Sequence, residues 1–487
     1  MDAKRAIRSL LYPRSIAVVG ASEAADKFSG RVLKHLLKSG FKGAIFPINP
    51  KRSEVQGVPC FARVRDIAGS VNVAVMVVPN RYLFESLEDC REKGVDVALV
   101  LNSGFAEAGE EGKRLQEKLT LFAEESGIRV CGPNSNGYVN ILERVVVGTS
   151  GAFDRPDFIA GNVAFLVQSG GIAGALLDLA QEKRIGLSYC ISLGNEADLG
   201  TTDFVDYLAD DPHTQVIAMF VEGLRDGRRF LSAAERAIEK GKSLVVFKVG
   251  KSLKGQEAAR AHTGKLAGSA QVWSEALRRA GVGQVADLDD LVGASGLLSR
   301  FPSPNGKNLA ILTLSGGQGV ILADLCESHS VHLPPPSPET AKELRELLPD
   351  FAAFSNPIDL TGQASASPEV LDRVLAKLAE DPTFDVLLLV LVASPVAARL
   401  WTERIVSVAQ KIPRPLIVLW SGGRGLDGWR DRLQESGVPV FTQASVCVRA
   451  LSAFLSAGKT AEKTVKTVSL DRNRAEKARE FLRARRG

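Results

Sequence analysis

Residues 15–22 read SIAVVGAS, and this stretch decides the fold. A short apolar run ends on Gly20, and a helical pattern, GRVLKHLLKSG, follows at 30–40. A buried strand that passes through a glycine turn into a helix opens a parallel α/β unit, because strands covered by helices on both faces are apolar throughout. The same alternation extends through GAIFPIN (43–49), NVAVMVVP (72–79), VDVALVLNSGF (95–105) and IRVCGPN (128–134), with GEEGKRLQEKLTLFAEESG (109–127) as a further helix. Ser15 to Gly132 therefore predicts a parallel sheet with crossover helices.

The pattern restarts twice. NVAFLVQSGG (162–171), GLSYCISLGN, QVIAMFVEGL and SLVVFKVGK form a second unit that runs down near FPSPNGK (301–307). NLAILTLSGGQG (308–319), FDVLLLVLVAS, PLIVLWSGG and VPVFTQ form a third. The expected organisation is α/β throughout, with units at 1–145, 146–300 and 301–460 and a charged tail at 461–487 with almost no apolar face. An internal echo links the later units: FLVQSGGIAGALLDLA (165–180) and ILTLSGGQGVILADLC (311–326) share a strand, a Ser-Gly-Gly turn and an apolar helix. Gly-rich strand-to-helix turns are common in α/β proteins, but two matched copies suggest two anion-facing helix N-termini.

Composition narrows the function. With 45% apolar residues, 6% aromatics and a net charge of +5 spread along the chain, neither disorder nor a nucleic-acid footprint is indicated. Six scattered cysteines without a CxxC pair imply a reducing compartment. The N-terminus lacks a long apolar h-region and the longest apolar run, 386–393, is far short of a membrane span, so a soluble cytoplasmic protein without membrane partners is expected.

Gly20 and Ser22 end the first strand, where small residues let amides approach a phosphate. A dinucleotide site for NAD would place an acid after the second strand; here Asn49-Pro50-Lys51-Arg52 follows it. A cation suits a phosphorylated ribose, as in NADP or the 3′-phosphate of coenzyme A, and an exposed lysine without a ligand is the plain alternative. Among five histidines, His35 reads as a surface or half-buried helical residue, His213 as a turn residue, and His329 and His332 as solvated; none has metal-ligand spacing. His262 lies in the small-residue segment ARAHTGKLAGS, read as a loop after a strand, where packing gives little reason for an imidazole and water could satisfy it.

The motifs YPRSIAVVGAS, GAIFPINPK, VNVAVMVVP, KGVDVALVLNSGFAE and GPNSNG resemble, in order, the CoA-binding domain of acyl-CoA synthetases of the succinyl-CoA ligase superfamily. The resemblance continues through VQSGGIAG, SLGNEADLGTTDF, FVEGL, KVGKSLKGQEAARAHTGKLAGS, SGGQG and NPIDLTG, the α-subunit order of the ADP-forming acetyl-CoA synthetases. It implies a Rossmann-like CoA-binding domain followed by two flavodoxin-like ligase domains. It implies coenzyme A at Gly20, Ser22, Lys27, Asn49, Pro50, Lys51, Ser103, Gly104 and Asn134, a phosphorylated His262 oriented by Glu222, and phosphate contacts at Gln168, Ser169, Gly170, Gly171, Ser315, Gly316 and Gly317. Gly264 and Gly268 would leave the histidine segment flexible. Ser135 departs from the family's GPNC, which puts any role of that thiol in doubt. The chain ends where fused relatives continue into an ATP-grasp domain, so a separate ATP-grasp β subunit, carrying Mg²⁺ with ADP or ATP, is the expected partner, with a small carboxylic acid or its acyl-CoA as substrate. The rival expectation is a catalytically silent CoA-binding regulatory or scaffold protein.

Overall fold

A computed structural model describes residues 1–155, 157–263, 269–304, 306–349, 352–361, 368–392 and 395–458. Gly264, Gly268 and the charged stretch 461–487 lie outside the described residues. Three main sheets follow one another along the chain, and their parallel strands are wound alike.

In the first sheet Ser15–Val19 is flanked by Ala44–Ile48 at one edge and by the central strand Val73–Met76, with Val97–Val100 and Arg129–Cys131 completing it, all parallel. Numbered in chain order within the sheet, the strands stand 2-1-3-4-5. The second sheet repeats this order with Ala160–Val167 as its first strand, then Leu187–Ser192, Val216–Val221, Ser243–Lys248 and Gly283–Val285. An antiparallel hairpin, Gly137–Asn140 and Val145–Gly148, extends it beside Leu187–Ser192. The third repeats it again with Leu309–Thr313, Ile358–Asp359, Val386–Leu391, Leu416–Trp420 and Val440–Phe441. In such doubly wound sheets the chain reverses direction between the first and third strands, and the crevice outside their carboxyl ends is where ligands bind. The three glycine turns after the three first strands, at Gly20, Ser169–Gly171 and Ser315–Gly317, therefore occupy equivalent positions.

The first two units share one apolar core. The N-terminal helix Ala3–Leu11 lies between them: Tyr138 donates through its hydroxyl to the Leu10 carbonyl, Asn140 Nδ2 donates to the Leu11 carbonyl at 2.8 Å, and Tyr12 and Tyr189 join hydroxyls at 2.7 Å. Arg129 grips Asp198 with two bonds of 2.8 and 2.7 Å, the bidentate geometry that gives a guanidinium–carboxylate pair its specificity. His35 is not a surface residue: it is 3% exposed, with Nδ1 2.8 Å from the Gly148 carbonyl, because its helix Phe28–Ser39 packs on the hairpin of the second sheet. Burial lowers its pKa. The second and third units share another core, in which helix Leu288–Arg300 lies along helix Ala444–Ser456. Among the described residues no helix is long and apolar enough to cross a membrane.

Candidate functional site

At the switch point of the first sheet a cavity of about 1000 Å³ opens between the strand ends. Gly20 lines it, at φ +94°, with its amide on the Ile48 carbonyl at 2.9 Å; a Cβ there would come within 2.8 Å of Val78 Cγ1. Asn49, Pro50, Lys51 and Ser103 also form its walls, whereas Ser22, Lys27, Gly104 and Asn134 lie outside them. Asn49 braces the glycine turn by donating to the Ala21 carbonyl at 2.9 Å, and accepts from the Lys51 amide at 3.0 Å. Gln56, which sequence reading did not single out, holds the turn from behind, donating to the carbonyls of Ser22 at 2.8 Å and Gly30 at 2.9 Å.

Two further wall residues escaped sequence reading. Asn102 spends its Nδ2 on the Val78 carbonyl and on Asn80 Oδ1, while its buried Oδ1 has no partner. Asn80 donates to the Ser103 carbonyl at 2.8 Å.

Glu107 ties this region to the second unit. Its carboxylate accepts from the amides of Gly104 at 2.7 Å and Phe105 at 3.1 Å and from Asn195 Nδ2 at 2.5 Å. Burial alone would raise its pKa, but the bonds from Asn195 and the backbone amides outweigh burial and hold it below the usual carboxylate value. Asn134, at φ +57°, donates its amide to the Asn102 carbonyl at 2.7 Å and its Nδ2 to Asn195 Oδ1 at 3.3 Å. Ser135 is 1% exposed; its hydroxyl donates to the Ser192 carbonyl at 2.6 Å and accepts the Gly137 amide at 2.9 Å. That geometry suits a hydroxyl better than a thiol, whose S–H is a weak donor.

The second switch point gathers Ser169, Gly170 and Gly171 after one strand and Glu222 after its neighbour. Ser169 is the N-cap of helix Gly170–Glu182 and makes no capping bond with its side chain. A Cβ at Gly170 would come within 2.7 Å of Asn136 Cγ, so only glycine lets the Asn136 carboxamide sit against this helix terminus. Gln168 is 5% exposed, and both ends of its carboxamide are committed within the protein. Nε2 donates to Glu196 Oε1 at 2.9 Å, Thr201 Oγ1 at 3.2 Å and the Gly223 carbonyl at 2.8 Å; Oε1 accepts the amides of Glu222 at 2.8 Å and Gly223 at 3.0 Å. Gln168 thus fixes the Glu222 turn. The carbonyl of Glu222 is fixed in turn by Lys248 Nζ at 2.8 Å. His262 stands in the last turn of helix Leu253–Thr263, not in a loop, since LKGQEAARA is rich in helix formers; the side chains of 260–263 lie outside the described residues.

At the third switch point Ser315 stands at the N-cap of helix Gly316–Ser328, again without a capping bond from its side chain, and Thr313 Oγ1 accepts the Ser315 amide at 3.0 Å. Here a carboxylate is already present: a Cβ at Gly316 would come within 2.9 Å of Asp359 Oδ2. The two Gly-Gly turns are therefore unequal, with the neutral Asn136 beside the first and Asp359 beside the second. Among the described residues no group of three or more His, Cys, Asp or Glu side chains comes together as a metal site.

Three family models match the chain: a CoA binding domain over residues 14–140, a succinyl-CoA ligase like flavodoxin domain over 160–298 and a ligase-CoA domain over 309–464. ADP-forming acetate–CoA ligase I of Archaeoglobus fulgidus is 37% identical over 477 residues, covering 97% of this chain and 67% of that protein. The α subunit of ADP-forming acetate–CoA ligase II of Pyrococcus furiosus is 34% identical, covering 92% of this chain and 97% of that subunit. A solved structure of the dinucleotide forming acetyl-coenzyme A synthetase 1 of Ca. Korarchaeum cryptofilum, in complex with phosphate and ADP, superposes with a TM-score of 0.84 at 32% identity over 94% of this chain and 99% of that one.

Proposed function

Because the chain belongs to the family of ADP-forming acetate–CoA ligase α subunits, within the succinyl-CoA ligase superfamily, we propose that it catalyses acyl-CoA + phosphate + ADP (or GDP) ⇌ carboxylic acid + CoA + ATP (or GTP) through an acyl phosphate and phosphorylated His262. It is the CoA-binding subunit of this acid–thiol ligase. The observation that carries the assignment of parts is the threefold winding: a cavity of about 1000 Å³ at the first switch point, and at the second a helix terminus without a side-chain cap beside the turn of Glu222.

Gly20, Asn49, Lys51, Asn80, Asn102 and Ser103 would hold CoA, whose sulfur supplies the leaving group. Phosphate oxygen attacks the thioester carbonyl; the C–O bond forms as the C–S bond breaks, and the phosphate proton goes to the thiolate. The amides of Gly170 and Gly171 hold the attacking phosphate, each helix-terminus contact contributing about 0.3–2 kcal/mol. A neutral nitrogen of His262 then takes the phosphoryl group: N–P forms, P–O breaks and the carboxylate leaves. Glu222 keeps the other ring nitrogen protonated and stabilises the charged ring. Gln168 acts by positioning Glu222. In the last step the N–P bond to His262 breaks as a terminal phosphate oxygen of ADP bonds to phosphorus, with the amides of Gly316 and Gly317, beside Asp359, donating to the phosphoryl oxygens; an ATP-grasp β subunit would hold the ADP with Mg²⁺. Coexpression with such a subunit tests the division of labour: acid-, CoA- and ATP-dependent turnover should need both chains, and full turnover by the rigorously purified chain alone would overturn it.

A further inference from the structure

Lys248 ends the strand Ser243–Lys248, paired with Val221 at the end of the neighbouring strand that leads into Glu222, and is 4% exposed. An ammonium taken out of water costs several kcal/mol unless donors and charge are compensated. Here Nζ donates to the carbonyls of Glu222, at 2.8 Å, and Val249, and lies 5.5 Å from the centre of the Trp273 ring, within cation–π range. Glu222 is therefore clamped from two sides, its amide by Gln168 and its carbonyl by Lys248. The Val249 carbonyl is the first of the segment leading to helix Leu253–Thr263, which bears His262. One buried cation thus touches the backbone of the orienting carboxylate and the root of the nucleophile's helix.

We infer that Lys248 is a positioning residue for phosphoryl transfer, setting Glu222 relative to the helix of His262. A purely structural lysine would stabilise the carboxyl ends of the two paired strands without regard to which side chain follows Val221. A positioning lysine acts through Glu222, and its effect disappears when Glu222 can no longer orient the histidine. The inference rests on the proposed roles of His262 and Glu222.

The test is a double-mutant cycle on the full chain, reading the rate at which acyl-CoA and labelled inorganic phosphate phosphorylate it. Lys248→Met keeps the aliphatic stem and removes the donors. It should slow labelling at least about tenfold in the Glu222 background and less than about twofold when combined with Glu222→Gln, since residues that act as a unit are non-additive. CoA affinity, set in the first unit, should stay unchanged and reports folding. If Lys248→Met fails to fold, Lys248→Arg keeps a buried cation but moves its donors, and the same non-additivity should appear. Equal fold-losses in both backgrounds, or no loss in a folded variant, would overturn the inference. Absence of labelling in the wild-type chain would instead overturn the proposed function.

Discussion

Replacing Gln168 with leucine should cost more than any other single change of similar volume at the second switch point. The side chain is 5% exposed and takes part in five hydrogen bonds. Leucine fills the space but leaves the amides of Glu222 and Gly223 and the carbonyl of Gly223 without their partner. At about 1–3 kcal/mol for each of the three unpaired groups, less about 1–2 kcal/mol regained from the apolar side chain and relaxation, the loss should be about 2–7 kcal/mol. Hydrogen exchange over residues 219–226 and urea unfolding would measure it locally and globally. Gln168→Glu gives a signature of its own. Its carboxylate would face Glu196 across the 2.9 Å now spanned by the amide, so its folded pKa would rise above the unfolded value of about 4.3. The penalty should be absent below about pH 4 and grow as pH climbs towards the raised value. A Gln168→Leu chain within about 1 kcal/mol of wild type, with exchange over 219–226 unchanged, would refute this reasoning.

Other outcomes follow from the same geometry. Lys51→Glu should weaken CoA binding by calorimetry, with dephospho-CoA losing less if Lys51 meets the 3′-phosphate; micromolar NADH binding with no response to CoA would sink the cavity's assignment. Burial pushes the thiols of Cys131, Cys190 and Cys326 up to about 12 and raises those of Cys90 and Cys447. With Cys60 half-buried and its thiol raised less strongly, Ellman's reagent at pH 8 should find at most one fast thiol in the native chain, lost in Cys60→Ser. Because burial lowers the pKa of His35, the folded state binds its proton less readily than the unfolded one. The histidine therefore costs stability as pH falls below the unfolded value of about 6.5. The melting-temperature advantage of wild type over His35→Asn should shrink between pH 7.5 and 5.5, and parallel pH slopes would contradict this.

The alternation of strand and helix was legible because apolar runs such as 163–167 and Val386–Leu391 are local signals and are buried throughout. Gly20, Asn49 and Lys51 follow strand ends, and winding order carries strand ends to the crevice, where they line the cavity with Ser103, a residue that only the family resemblance had named. What escaped notice depends on approach between distant segments. Gln168, which the resemblance made a phosphate contact, is buried with its carboxamide spent on protein groups, among them the amide of Glu222, 54 positions later. Asn102 and Lys248 are likewise defined by neighbours on adjacent strands, and His35 is buried by a hairpin whose closest contact is 113 positions away. Asp359 was visible within NPIDLTG, but nothing local says that it faces Gly316. His262 was read as a loop residue because small residues and Gly264 surround it; the helix formers before it extend the helix to Thr263.

The most direct test incubates the full chain with acyl-CoA and labelled inorganic phosphate and maps the product. One acid-labile, base-stable phosphoryl group should appear on His262, be lost in His262→Asn with CoA affinity intact, and form slowly in Glu222→Gln. Label that survives in His262→Asn and maps to Ser169, His213 or a carboxylate would contradict the mechanism.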